Sequence, residues 1–404
     1  MDANATTPLL PEVFEAMRPF WMEHYGNASS IHQQGQHARG AVEQARTAIA
    51  RFLHCLNSEI VFTSGGTESD NLALFGVLSP ESTHGEPAHL ITTTIEHHAV
   101  LHAAEALASD KAKTGVEVTF LPATPEGLIE PAALKAALRP HTKLVSIMYA
   151  NNETGVIQPI QELAAIAHEA GALFHTDAVQ VTGKLPLDLS AEGPLKNIDL
   201  LTFSGHKMYA PKGIGVLFVR RNVRLAPMMH GGTHERQRRA GTENVACIAG
   251  LGKAAELAST WLATDAPEKL TALRDRFEQG ILSQIEETGV NGGSAPRVSN
   301  TSNLYFDHLE AEALVIALDL KGISASGGSA CQSGAAEPSH VLTAMGLPPA
   351  RARASVRFSL SRLTTAEEID EALKIIPAAV ARLRELSPAY HRREPQAVGA
   401  APEK

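Results

Sequence analysis

The sequence is short of cysteine, of positive charge and of long apolar runs, and each shortage excludes a class of protein. Its 404 residues include three cysteines, Cys55, Cys247 and Cys331. They are too few and too far apart for a disulfide framework or for the paired thiols of a zinc site, so reduced thiols are expected. Lys and Arg number 35 against 44 Asp and Glu, a formal net charge of -9. That balance argues against a mainly electrostatic grip on nucleic acid or anionic lipid. No run approaches the roughly 18 apolar residues of a membrane helix. The first twenty residues lack the basic and apolar regions of a signal peptide, and a cytoplasmic protein is expected. H-E-x-x-H is absent, because His168-Glu169 and His234-Glu235 are both followed by the wrong residues, and a metalloprotease is excluded. G-x-x-x-x-G-K-[ST], G-x-G-x-x-G and any fixed-period repeat are missing too.

What is present is an ordinary globular composition, 44% hydrophobic and 20% charged, long enough for two domains. Between Glu59 and Arg220 short β-branched runs alternate with helical patterns, which predicts an α/β fold with a mostly parallel sheet covered on both faces. Seven strands are expected near Ile60–Thr63, His89–Thr94, Val116–Leu121, Leu144–Tyr149, Leu173–Thr176, Leu200–Phe203 and Gly215–Val219. Pro159–Ala170 reads as a crossover helix with Pro at its start and Gly171 as its stop. Past about Ala263 a helical stretch, Glu268–Glu287, gives way to short strands, a Gly/Ser-rich loop and a last helix near Ala366–Leu386. The expected division is a large domain over 12–262 and a smaller α+β domain formed by 1–11 and 263–386, which carries a mobile loop at 324–338. The tail 387–404 is rich in Pro and charge and is expected to be disordered. Asp2 reads as the end of a strand with nothing before it to pair, an expectation that the strand starts upstream.

Several segments have the residues for chemistry, each with a plainer reading beside it. In TFSGHKMYAPKGIG, Lys207 follows an apolar strand, where open α/β sheets bind ligands. Desolvated there it becomes a nucleophile for a carbonyl cofactor; in solvent it is a loop lysine. In LFHTDAVQ, Asp177 lies just past a neighbouring strand and needs a cationic partner at that depth. The protonated ring nitrogen of pyridoxal phosphate is one such partner, with Gln180 in reach of the ring hydroxyl; a helix N-cap is the alternative. FTSGGTESDN presents a strand end, two glycines and a helix start, either a phosphate cradle without a Walker lysine or a capping turn. His97 in TIEHHAV is suited to lie on a planar cofactor or to shuttle protons, or is simply structural. Cys331 stands among glycines and serines that cannot pack a core, as a reactive or an incidental exposed thiol. Cys55 and Cys247 read as buried and inert. Arg357 interrupts an apolar alternation in VRFSL, which suits a carboxylate substrate or an internal salt bridge.

Taken in order, NATTP at Asn4–Pro8, GNASSIH at Gly26–His32, FTSGGTESDN, IEHHAV, YANNETG at Tyr149–Gly155, HTDAVQ, SGHK, RAGTEN at Arg239–Asn244, SACQSG and RFSLSR resemble the cysteine desulfurases of the class-V aminotransferase family, in their NifS/IscS-like branch. The resemblance implies a fold-type I pyridoxal phosphate enzyme, homodimeric, with each active site at the subunit boundary. It implies that Lys207 holds the cofactor as a Schiff base, Asp177 pairs with the pyridine nitrogen, Gln180 with the ring oxygen, and His97 stacks on the ring. Gly66, Thr67, Ser204 and His206 would bind the phosphate, and Thr242 would reach across from the partner subunit. Asn152 and Arg357 would hold the carboxylate of L-cysteine, Lys207 would carry the proton, and Cys331 would take the sulfur as a persulfide, leaving alanine. The sulfur would then pass to an iron–sulfur scaffold protein or another acceptor. Cys331 would be a transient iron–sulfur ligand through its persulfide in such a complex, with no intrinsic metal site. A selenocysteine lyase or a small-amino-acid transaminase on the same fold is the alternative. Gln332 and Gly334 depart from the family's usual Thr or Ser and Ala, which bears on loop mobility or partner preference more than on chemistry.

Overall fold

The short apolar runs of the first half line up as seven strands of one sheet in a computed structural model, which describes residues 1–109, 114–327, 338–387 and 390. The strands are β1 (Ile60–Thr63), β2 (Ala88–Thr93), β3 (Val116–Leu121), β4 (Thr142–Ser146), β5 (Leu173–Asp177), β6 (Leu200–Ser204) and β7 (Gly215–Val219), in the spatial order β1-β7-β6-β5-β4-β2-β3. β6, β5, β4, β2 and β3 pair in parallel, and β7 alone runs antiparallel to both of its neighbours. Side chains alternate between two separate apolar layers, as the two-residue period of a strand requires. Ile60, Phe62, Val216 and Phe218 face one layer, with the helices Pro11–Met22, Gln33–Phe52, Ile160–Glu169 and Val245–Leu262. Val61, Leu217 and Val219 face the other, with Gly66–Leu78 and His98–Ser109. Helices on both faces are why these strands read as continuous apolar runs.

A second sheet, entirely antiparallel, consists of β8 (Thr288–Val290), β9 (Thr301–Phe306), β10 (Ser326–Gly327) and β11 (Ser355–Ser359) in the order β10-β11-β9-β8. Its apolar side packs with the helices Ala266–Gln284, Ala311–Asp319 and Ala366–Leu386 in a third cluster. The first residues of the chain run beside β11. Ser359 N–H donates to Met1 O at 2.9 Å and Ala3 N–H to Ser359 O at 3.0 Å, and this pairing delivers Asn4 to the space between the sheets.

Several boundaries differ from the sequence expectation, those of β2, β5 and β6 by one residue. β4 spans Thr142–Ser146 and not Leu144–Tyr149. The hydrogen bonds to β5 nevertheless go on, from Ile147 N–H to His175 O at 3.1 Å and from Tyr149 N–H to Asp177 O at 2.9 Å, until Asn151 turns the chain. The crossover helix is Ile160–Glu169 with Pro159 as its N-cap, where a residue without N–H leaves no donor unpaired. The helical stretch expected at 268–287 is Ala266–Gln284. The loop carrying Cys331 lies outside the described residues from 328 to 337, and of the tail only Ser387 and Tyr390 lie within them.

Candidate active site

Parallel strands bring their C-terminal ends to one edge of the sheet, and the residues that follow β1, β2, β4, β5 and β6 meet there around a cavity of about 440 Å³. Gly66 and Thr67 come from the turn after β1, His97 from that after β2, and Asn152 from the segment after β4. Asp177 ends β5 with Gln180 three residues on; Ser204 ends β6, and His206 and Lys207 lie in the helical turn that follows it. The second sheet closes the cavity with Arg357 of β11. Every candidate is therefore in the cavity wall save two. Thr242 is exposed and outside the lining of its own chain's cavity, and Cys331 lies outside the described residues; Gly327 and Pro338, which flank the latter, are in the lining.

The electrostatics of the wall depend on burial. Asp177 is 6% exposed, and burial raises its carboxyl above the ordinary range, while the ammonium of Lys207 opposes that rise. Its Oδ1 accepts from Val179 N–H at 2.8 Å. Asp70, which the sequence reading passed over, is a second buried carboxyl in the wall; burial and then Asp177 raise it. Two buried acids that act on each other cannot both ionise cheaply. Lys207 Nζ donates to Ala5 O at 2.7 Å and to Asn4 O. His97 Nδ1 accepts from Ala99 N–H at 3.2 Å at the start of the helix. Burial, then the neighbouring His98, Lys207, His340 and His102, hold the imidazole down at about 4. At neutral pH the ring is an uncharged plane with its proton on Nε2. His206 is pushed down to about 4 as well, by burial and then by Lys207 and Lys212.

Arg357 realises part of each reading made for it. Nη2 pairs with Asp2 Oδ1 at 3.1 Å and Nη1 donates to Asn152 O at 3.0 Å. Its Nε is buried without a hydrogen-bond partner among the described residues, as are Asn152 Oδ1 and Asp70 Oδ1. Polar atoms orphaned around one cavity are groups prepared for a polar occupant. Gly66 supplies the other sign of fit, since a Cβ there would meet Val179 Cγ2 at 3.0 Å and Ser204 Cβ at 3.6 Å. No side chain caps the helix Gly66–Leu78, so the positive end of its dipole is available to an anion. A dianionic phosphate at that end, a ring nitrogen on Asp177 and a carbonyl carbon on Lys207 match pyridoxal phosphate group by group.

Three further residues that the sequence did not single out line the cavity. Asn4 joins the elements of the site, donating to Thr301 Oγ1 at 2.8 Å and to Asn152 O at 3.2 Å and accepting from Asn300 Nδ2 at 3.0 Å. Glu153 is buried and accepts from Ser339 Oγ at 2.5 Å; burial pushes its carboxyl up to about 7. His340 lies against His98, with ring centroids 4.7 Å apart. NATTP and YANNETG contain the first two, but only as parts of longer strings, with no spacing that singles them out. Cys55 and Cys247 are free thiols, both raised by burial, Cys55 to about 12. Among the described residues no group of three or more His, Cys, Asp or Glu is arranged to hold a metal ion. No helix there is long and apolar enough to cross a membrane.

The family model described as aminotransferase class-V matches residues 1–372. The chain belongs to that family. Cysteine desulfurase 2 of Trichormus variabilis is 50% identical over 388 residues, covering 96% of this chain and 94% of the relative. A solved structure described as a NifS-like protein superposes with a TM-score of 0.85 at 34% identity, covering 95% of this chain and 99% of that one. Another, described as SspA in complex with cysteine, gives a TM-score of 0.78 at 38% identity over 90% of this chain and 99% of that one. Within the family the chain falls among the cysteine desulfurases.

Proposed function

We propose that this chain is a pyridoxal phosphate-dependent cysteine desulfurase that takes sulfur from L-cysteine, releases L-alanine and carries the sulfur as a persulfide on Cys331. The observation that carries the reading is the meeting of Lys207, Asp177, His97 and Arg357 in one cavity at the C-terminal edge of a parallel sheet. Lys207 would hold the cofactor, Asp177 its ring nitrogen, Gln180 its ring oxygen and His97 its face, with Gly66, Thr67, Ser204 and His206 around the phosphate and Thr242 arriving from a partner subunit. Bound there, the cofactor supplies an electron sink for loss of the substrate's Cα proton.

The chain's own residues do the rest. Arg357 would offer its Nε, unpartnered among the described residues, and Asn152, in the same lining, its amide N–H to the carboxylate of L-cysteine, which fixes the Cα–H bond relative to Lys207. The Lys207 amine, in the cavity wall, would take the Cα proton. The Cys331 thiolate then attacks the substrate sulfur. The S–S bond of the persulfide forms as the C–S bond breaks, and the carbon left behind becomes the methyl group of alanine after protonation. The neutral His97 ring adds a flat surface without competing for that proton near neutral pH.

The reading extends to a homodimer, to a division into a cofactor domain over 12–262 and a small domain formed by 1–11 and 263–386, and to a cytoplasmic location. The persulfide would pass to an iron–sulfur scaffold protein or another thiol-bearing acceptor. The test is alanine and sulfide production from L-cysteine with reductant. We expect equal amounts of both from the wild type and none from Cys331→Ala or Lys207→Ala. Full desulfuration by Cys331→Ala would sink the persulfide step and favour a selenocysteine lyase or transaminase; no alanine from the wild type would remove L-cysteine as the substrate.

A further inference from the structure

Lys184 takes no part in the mechanism above, yet its ammonium is turned inward, behind the cavity. Nζ donates to Gln180 Oε1 at 3.2 Å and to Asn4 Oδ1 at 3.2 Å. The charged groups that act on it most are both cations, Lys207 and Arg357. A cation placed among cations, on the amides of two residues that are 5% and 2% exposed, costs stability unless it serves the site. The geometry shows what it serves. Burial, then Lys207 and Arg357, pull the ammonium down to about 7; charged it can only donate, and neutral it still has two N–H bonds for the two oxygens it touches, so it faces the oxygen of the Gln180 amide. Gln180 Nε2 donates at 3.4 Å to Asn4 O, a carbonyl that can only accept. The two contacts select the same orientation of the amide. One N–H of Gln180 is thereby left for the cavity that the residue lines.

We propose that Lys184 is a positioning residue for the cofactor's ring oxygen, holding Gln180 with its amide N–H turned to the cavity as a donor. The proposal rests on the cofactor reading given above and deepens it. Without Lys184 only the 3.4 Å contact to Asn4 O orients the Gln180 amide, and a rotation that presents its oxygen, which repels an anionic ring oxygen instead of binding it, is opposed by that one long hydrogen bond alone. A donor on that oxygen stabilises its negative charge most where the neighbouring imine is unprotonated. The donor therefore lowers the pH at which the lysine-bound cofactor loses its proton.

The test is a pH titration of the visible absorption band of the cofactor-loaded protein, for the wild type, Lys184→Met, Gln180→Leu and the double variant, with thermal melts alongside. Lys184→Met should raise the apparent pKa by about one unit, Gln180→Leu should raise it comparably, and the double variant should go no further than either. Should Lys184→Met fail to fold, Lys184→Gln, polar and one atom shorter, is expected to give the same rise. A folded Lys184 variant that titrates like the wild type overturns the proposal. So do additive rises in the double variant, which would mean that Lys184 acts through its own charge and not through Gln180. Absence of any visible band in wild type loaded with pyridoxal phosphate overturns the cofactor reading itself, and this one with it.

Discussion

Asp70, Glu153 and Asp177 are three carboxyl groups buried around one cavity, and burial raises each of them above the ordinary carboxylate range. A raised acid in the native state binds its proton where the unfolded chain has already released it. Its contribution to stability is complete below the unfolded value and is lost as the pH rises through the folded one. For Glu153 that window runs from the ordinary 4.5 up to about 7. Glu153→Gln removes the titration and keeps an oxygen for Ser339, so the melting temperature of the cofactor-free variant, relative to the wild type, should rise between pH 5 and pH 8. The gain is roughly 3 kcal/mol at most. A difference that stays flat with pH would show that Glu153 ionises as freely in the native state as in the unfolded chain. The counterpart on the basic side is His97, kept near 4. Removing its ring should weaken cofactor binding without adding a titration near neutral pH, which a dissociation constant measured between pH 6 and pH 8 will check.

At the scale of an element, the turn His234–Gln237 holds three consecutive residues, Glu235, Arg236 and Gln237, at positive φ, a conformation that non-glycine residues adopt only under constraint. The constraint is a buried bidentate pair. Arg46, from the helix Gln33–Phe52, donates to Glu235 Oε1 at 2.8 Å and to Oε2 at 3.0 Å, and Phe62 N–H in β1 donates to Oε2 at 3.0 Å. Arg239 repeats the tie a few residues on, at 2.8 Å from Glu68 in the helix that starts at Gly66. The segment leading to Thr242 is therefore fastened to the first turn of the cavity. Arg46→Ala leaves Glu235 buried and unpaired and should cost about 3–5 kcal/mol in chemical denaturation. Arg46→Met with Glu235→Leu should cost clearly less, because no charge is then stranded. Equal losses would count against the clamp. Gly155 serves a second element in the same way: at φ +77, a Cβ would meet the Thr301 Cβ at 2.8 Å. Gly155→Ala should thus displace Asn152 and raise KM for L-cysteine more than it lowers kcat.

For the whole molecule the telling surface is the one left uncovered. Trp21 is 49% exposed and Met22 74%, at the end of the helix Pro11–Met22; Tyr25 is 76% and Ile31 93% exposed, between it and the helix Gln33–Phe52; Met228 and Met229 are exposed on the loop leading toward Thr242. Exposed large apolar side chains suit a partner surface, and the dimer proposed above would cover them while carrying Thr242 to the neighbouring cavity. On the dimer proposed above, Ile31→Lys should lower the sedimentation coefficient from that of a dimer to that of a monomer and abolish turnover; an unchanged coefficient would count against that surface as the interface. Subunit mixing tests the crossing directly. A Lys207→Ala chain and a chain disabled at Thr242, each inactive alone, should together recover about a quarter of the wild-type activity, since half the dimers formed at random contain one intact site. No recovery would place Thr242 outside the partner's site.

The amino-acid order alone determined the α/β class, all seven strands of the first sheet to within a few residues, and the edge positions of Lys207, Asp177, Gln180 and His97, while Arg357 was left between a substrate site and a salt bridge. Apolar periodicity is local, and residues at the ends of parallel strands converge wherever the sheet closes. β4 went astray because Ile147 and Tyr149 carry the same apolar signal as a strand and keep its hydrogen bonds after the regular ladder has ended. Only the tertiary structure revealed Asn4 as a hub, Lys184 behind Gln180, Asp70 beside Asp177 and the Arg46–Glu235 clamp. Lys184 and Asn4 are 180 residues apart and Arg46 and Glu235 are 189 apart. Lysine and asparagine have no pattern that marks burial. A contact between such residues is decided by how two sheets and the first strand-like residues pack together, and composition, spacing and periodicity contain no information on that distance.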